Sequence, residues 1–190
     1  MSATEPIRDE RKAQELLTHF LDKGEPRNHV LAVLGVYTAL RISDILRIVW
    51  DDIYDFETGK PREHLTVTEK KTGKTKKMAL HEDVKAAINK YKHSAARGKP
   101  LIINERTGRA ISRIQAYRII RAAAEEINIP ERVSCHSLRK TFGYHAWKNG
   151  ASQAVITEIY NHSSYATTRR YLGITQDDIN DVYLSFKLTA

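Results

Sequence analysis

The chain has 190 residues, 41% hydrophobic and 28% charged, with 31 Lys and Arg against 23 Asp and Glu for a formal net charge of +8. That length and balance point to one soluble globular domain with material for a core, and the basic excess favours a polyanionic partner. A single cysteine, Cys135, excludes an internal disulfide and fits a reducing cytoplasm; no apolar run reaches the ~20 residues of a membrane span, and the N-terminus lacks the pattern of a signal peptide.

Residues 8–22 predict a helix with Leu16, Leu17, Phe20 and Leu21 as its apolar stripe, broken at Gly24-Glu25-Pro26. Residues 28–40 are strongly apolar and predict a buried helix, after which Ser43 can cap a short helix through Leu46. The period then changes. Residues 64–68 and 76–80 alternate as strands around the turn Lys70-Lys71-Thr72-Gly73-Lys74, and Thr58-Gly59-Lys60-Pro61 makes an earlier turn. Residues 51–80 are therefore expected to form a three-stranded antiparallel sheet.

The remainder reads as helices: 82–96, then 112–127 after a short extended piece at Leu101-Ile102-Ile103. Ser134 can cap a helix over 136–149 that Asn149-Gly150 ends, and Ser152 one over 153–160. Residues 164–172 end at Gly173, and a last helix over 177–187 puts Ile179, Val182, Tyr183 and Phe186 on one face. The expected class is mainly α with a small antiparallel β-sheet (α+β), as one domain over 1–190 with a lead-in over 1–25.

The chemistry concentrates late in the chain. His136 and Arg139, three apart on a helix, share a face, and a guanidinium beside an imidazole suits a phosphate. An isolated His-x-x-Arg is more often a surface pair. Arg41 follows the apolar helix, where a cation commonly does no more than offset the helix dipole; Asp44 could orient it by a salt bridge. His162 lies in a loop, and Tyr171 follows Arg169-Arg170 on a short helix. A tyrosine of ordinary pKa ~10 is a poor nucleophile until cations and a bound phosphate activate it. Cys135 beside His136 invites a thiol-nucleophile reading, but adjacent helix residues point ~100° apart and the pair does not meet.

Taken in order, Leu40-Arg41-Ile42-Ser43-Asp44, Lys71-Thr72-Gly73, His136-Ser137-Leu138-Arg139, Asn161-His162-Ser163-Ser164 and Thr167-Thr168-Arg169-Arg170-Tyr171 resemble the catalytic domain of the tyrosine recombinases, or phage-type integrases, from about residue 6 to 186. The resemblance implies that Arg41 and Arg139 clamp the scissile phosphate, His136 transfers a proton and His162 binds a non-bridging oxygen. Tyr171 then attacks, leaving a 3′-phosphotyrosyl link and a free 5′-hydroxyl. It implies Lys71 as the acid that protonates the leaving 5′-oxygen, with Lys74 the second candidate, and Asp44 as an accessory acid. No metal or cofactor is expected, the ester itself conserving the bond energy for religation. Candidate DNA contacts are Lys74, Arg170 and the helix bearing Arg113, Arg118 and Arg121; a solvated face explains that helix equally well.

The partners so implied are double-stranded DNA and further copies of the chain, with the last helix docked on a neighbour in a tetramer; packing within the chain is the other reading of that helix. Three departures from the family pattern stand out. Tyr160-Asn161 replaces a frequent Leu-Gly, and Asn tolerates the left-handed turn Gly would make. Ala39 replaces a Gly, expected to be a mild change. Only about 25 residues precede the catalytic region, so no N-terminal core-binding domain is expected, and the chain is either a compact recombinase or one that has lost its clamp. The other functions to weigh are type IB topoisomerase-like relaxation, which shares the chemistry, and a non-catalytic DNA-binding regulator.

Overall fold

The computed structural model describes residues 4–187. Helix α1 (Glu10–Asp22) starts where the Asp9 carboxylate accepts the N–H groups of Arg11 and Lys12, and it buries Ala13, Leu16, Leu17 and Phe20. Helix α2 (Pro26–Tyr37) is buried along Asn28 to Gly35 and has no solvent stripe, because it runs through the middle of the domain. Two short helices follow, α3 (Ile42–Ile45) and α4 (Trp50–Ile53).

The β-structure is three separate antiparallel pairs: β1 (Tyr54–Asp55) with β2 (Lys60–Pro61), β3 (His64–Thr68) with β4 (Thr75–Ala79), and β5 (Ile103–Asn104) with β6 (Arg109–Ala110). The three-stranded sheet expected over 51–80 is thus a correction. Pro61 has no N–H to carry the ladder onward, and the chain turns before β3 begins. Helix α4 was not legible in the sequence, and neither was β6 as the partner of β5.

Helices α5 (Glu82–Tyr91), α6 (Arg113–Glu126), α7 (Cys135–Lys148), α8 (Gln153–Tyr160), α9 (Tyr165–Leu172) and α10 (Gln176–Ser185) complete the fold, each close to its expected span; α5 gives way to a 3₁₀ turn at Lys92–Ser94. The Asp178 carboxylate anchors the start of α10, accepting from Tyr144 Oη at 2.7 Å and Arg8 Nη1 at 3.2 Å. The apolar face of α10 has no such anchor: Tyr183 is 79% and Leu184 85% exposed, with Val182 and Phe186 also in solvent. The reading that this face packs within the chain is not what the fold adopts.

Two hydrophobic cores result. The larger gathers α1, α2, α5, α6 and the first half of α7 around Phe20, Leu34, Trp50 and Ile120. The smaller holds Ala39, Ile156, Tyr160 and Leu172, flanked by Phe142, Trp147 and Tyr171. Helix α7 spans both, so its Arg139 sits at their seam. Two glycines let the helices approach there: a methyl at Gly35 would meet Leu138 Cδ1 at 2.6 Å, and one at Gly143 would meet Leu172 Cδ2 at 2.5 Å.

Candidate active site

Between α2 and α3 the chain reverses through Ala39, whose φ of +52° lies in the left-handed region. This corrects the expectation of a mild change, because a Cβ in that conformation meets the following carbonyl. The turn aims the Ala39 carbonyl at α7, where it accepts from Arg139 Nη1. It also delivers Arg41 to the cap position of α3 with its guanidinium directed at the β3–β4 hairpin.

The residue it meets is Glu69. Arg41 Nη1 lies 2.9 Å from Glu69 Oε1, and Lys76 Nζ lies 3.1 Å from the same oxygen. Arg41 Nη1 and Glu69 Oε1 are both buried and not aligned for a hydrogen bond, so the contact is one of charge. The other oxygen, Oε2, accepts from Thr72 Oγ1 at 2.8 Å and Asn161 Nδ2 at 3.1 Å. Burial raises the Glu69 carboxyl, but Thr72, Lys76 and Arg41 outweigh it and hold the group down at about 2. Asp44, expected beside Arg41, instead accepts the Lys70 backbone N–H at 2.9 Å and pins the hairpin to α3. Lys71 and Lys74 occupy the exposed tip, between the closing pair Thr68 and Thr75. Among the described residues Lys71 has no ion-pair partner.

Ser134 caps α7, its hydroxyl accepting the His136 N–H at 3.1 Å. One turn later Arg139, 2% exposed, lays its guanidinium 4.6 Å from the Tyr160 ring centroid. Asn161 closes α8 at φ 52°, ψ 42°, the left-handed turn expected of it. That turn sets His162 against α9: Nδ1 lies 3.1 Å from Thr168 Oγ1, and the ring stands edge-on to Tyr171 with centroids 5.1 Å apart. Tyr171 also contacts the Tyr160 ring, with centroids at 5.2 Å, while Lys140 Nζ sits 5.3 Å over its own ring. The Tyr171 hydroxyl is buried and unpartnered in hydrogen bonding.

Electrostatics tie these groups into one site. Burial raises the Tyr171 phenol, opposed by Arg139 and Arg41. Burial lowers the His136 imidazole, and Arg139, Lys140, Arg41 and Lys71 lower it further. His162 is lowered by burial and then by Arg139, Arg41, Lys76 and Lys71. At neutral pH both imidazoles are therefore uncharged and the phenol keeps its proton. Burial pushes the Cys135 thiol up to about 11, the opposite of what a thiolate nucleophile needs.

The family model described as the phage integrase family matches residues 9–177. The chain belongs to that family. It is 39% identical over 186 residues to the probable integrase/recombinase YoeC of Bacillus subtilis (strain 168), covering 98% of either chain. It is 29% identical over 165 residues to the tyrosine recombinase XerD of Corynebacterium glutamicum, where the match covers 83% of this chain but 51% of that one. Among solved structures, that of XerA recombinase superposes with a TM-score of 0.78 at 20% identity, covering 99% of this chain and 68% of the other. A lambda integrase dimer bound to a COC′ core site reaches 0.69 at 19% identity, covering 90% and 60%. The fold is that of the tyrosine recombinase catalytic domain.

Within this integrase domain, Arg41, His136, Arg139, His162 and Tyr171 converge from four separate elements. Arg113, Arg118 and Arg170 stay on exposed helix faces; Arg118 borders a cleft with His19 and Glu126, and Arg121 pairs with Glu125. Among the described residues no contact joins them to the cluster. Sequence reasoning missed Glu69, Lys76 and the Asn161 amide. The available signal was a lone acid at the head of a run with five lysines between 70 and 77. Among the described residues no helix is long and apolar enough to cross a membrane.

Proposed function

We propose that this integrase-family chain is a site-specific DNA recombinase that cleaves and rejoins duplex DNA through a 3′-phosphotyrosyl intermediate. The observation that carries the reading is the Tyr171 hydroxyl, buried without a hydrogen-bond acceptor, under the charge of Arg139 and Arg41 and with its ring edge-on to the uncharged His162. A buried hydroxyl left unpaired costs ~1–3 kcal/mol, and a phosphate drawn in by the guanidinium groups supplies the missing acceptor.

In this reading Arg41 and Arg139 bind the two non-bridging oxygens of the scissile phosphate and take the charge that grows on them in the pentavalent transition state. Arg139 exchanges its contact with the Ala39 carbonyl for the phosphate. His136, uncharged, accepts the phenol proton as Tyr171 attacks phosphorus. Thr168 engages Nδ1 of His162, leaving Nε2 to meet a phosphate oxygen. Lys71, on the exposed hairpin tip, reaches the 5′-oxygen and donates the proton it needs to leave, Lys74 being the alternative donor. The P–O bond to the 5′-oxygen breaks as the bond to the tyrosine oxygen forms. The reverse attack by a 5′-hydroxyl restores the backbone without another energy source.

Arg113, Arg118 and Arg170 are proposed as phosphate contacts beyond the cleavage site, making affinity strongly salt-dependent. The exposed apolar face of α10 is proposed to dock on a neighbouring protomer of a DNA-bound tetramer. The test is covalent trapping on nicked fragments of the DNA that flanks the gene. A detergent-resistant adduct with wild type and none with Tyr171→Phe, at equal DNA binding, is the expected result. An adduct that persists in the Phe variant refutes Tyr171 as the nucleophile. Recombinant junctions separate recombination from supercoil relaxation alone.

A further inference from the structure

Glu69 is a buried carboxylate in direct contact with both Arg41 and Lys76. Its side chain is 0% exposed. Four side chains converge on it: Arg41 at the head of α3 and Asn161 at the turn before His162, both from outside its hairpin, and Thr72 in the hairpin loop and Lys76 on β4 from within it. The Glu69 N–H donates to Lys74 O at 2.9 Å, and the Glu69 carbonyl accepts from Gly73 at 2.9 Å, so the residue also closes the loop that carries Lys71. A buried anion with this many donors is immobile, and a guanidinium held against it loses its rotamer freedom before any phosphate arrives.

We propose that Glu69 is the positioning residue of this active site: its carboxylate fixes the guanidinium of Arg41 in the attitude that receives the scissile phosphate, and locks the Lys71 hairpin to the His162 turn. The inference rests on the recombinase reading above. The carboxylate does not itself touch DNA. Two of its donors, Thr72 and Asn161, come from the loop and the turn that flank catalytic side chains, so it sets the distance between them. The full negative charge is required because two cations, Arg41 and Lys76, share one oxygen. A neutral amide there would turn an N–H towards one of them or leave both unopposed.

The opposite role, a competitor that keeps Arg41 away from phosphate, makes the opposite prediction, and one experiment separates the two. Wild type, Glu69→Gln, Glu69→Asp and Asn161→Gly are compared on a nicked duplex carrying the cleavage position that wild type maps. DNA affinity, adduct formation rate and thermal melting are measured together. The positioning role predicts that Glu69→Gln binds DNA as well as wild type or better, since a negative charge has gone, yet forms adduct about ten- to a hundredfold more slowly. Glu69→Asp recovers part of that rate. Asn161→Gly keeps the left-handed turn, removes one donor to Glu69 and is slowed to a smaller degree.

A second substrate, with sulfur in place of the bridging 5′-oxygen, has a leaving group that needs no acid. On it the defect of Lys71→Ala disappears, while that of Glu69→Gln remains because it acts through Arg41. Adduct formation by Glu69→Gln at or above the wild-type rate overturns the proposal, as does full rescue by the sulfur substrate. Should Glu69→Gln fail to fold, an undiminished rate in Asn161→Gly overturns it equally. Wild type that forms no adduct on any fragment overturns the recombinase reading itself, a result distinct from an active wild type with an equally active Glu69→Gln.

Discussion

Gly143→Ala adds one methyl group at the closest approach between α7 and the pair α8–α9. At the position it would occupy, Leu172 Cδ2 lies 2.5 Å away, the Tyr160 hydroxyl 2.6 Å and Tyr160 Cε2 2.8 Å. Carbon atoms rest at ~3.5 Å, so Leu172 has to retreat by roughly 1 Å. Both obstacles are fully buried, and the Tyr160 hydroxyl is held by a hydrogen bond to the Arg139 carbonyl, so neither has open space to enter. Overpacking of this kind costs ~1–3 kcal/mol, which for a domain of this length lowers the melting temperature by about 2–12 °C. The effect on chemistry is the larger one. Leu172 is the neighbour of Tyr171 in the chain, and Tyr160 touches the Tyr171 ring. A shift of ~1 Å in the nucleophile relative to Arg139 costs about a hundredfold in rate. Melting followed by circular dichroism, with adduct formation on a nicked duplex at a temperature where the variant is folded, measures both. A variant that melts and cleaves like wild type would show that this close approach does not hold the nucleophile in register.

Ala39→Gly should stabilise the protein. The left-handed conformation costs an alanine ~1–2 kcal/mol, and the added freedom of glycine in the unfolded chain returns ~0.4–1 kcal/mol of that, leaving a rise in melting temperature of about 1–4 °C; a fall would mean that the Ala39 methyl contributes more to the small core than its backbone costs. Stability should also decline as the pH drops through 6.5. Burial holds His29, His136 and His162 below that ordinary value, so just under it the unfolded chain binds more protons than the folded one and unfolding becomes easier. Glu69, held at about 2, acts in the same direction lower down: its contribution is whole above about 4.5 and is lost towards 2. A melting temperature unchanged between pH ~7 and ~5 would contradict the histidine shifts, and one unchanged between pH ~5 and ~2 would contradict that of Glu69.

Local chemistry made much of this protein legible before folding. The Ser134 cap, the turns at Asn161 and Gly173 and the 3.6-residue apolar stripes act within a few residues of themselves, so α1, α7, α8 and α9 stand close to where their sequences put them, although the cap position of α3 falls on Arg41 and not on Ser43. The spacing of Arg41, His136, Arg139, His162 and Tyr171 carried the family. What folding alone decided lies between distant segments. The two-residue strands were beyond reach because pairing so short is set by packing. So was the partner of Arg41: Asp44, three residues away, looked the natural choice, but the hairpin brings Glu69 across to the guanidinium and leaves Asp44 to bind the Lys70 amide. Ala39 reads as a mild replacement on paper and becomes a strained turn once its carbonyl must meet Arg139 a hundred residues later. A charge finds its partner in space and a backbone angle is imposed by what both ends of a turn must reach, so these features follow from the packed fold, whereas caps and periods follow from neighbouring residues.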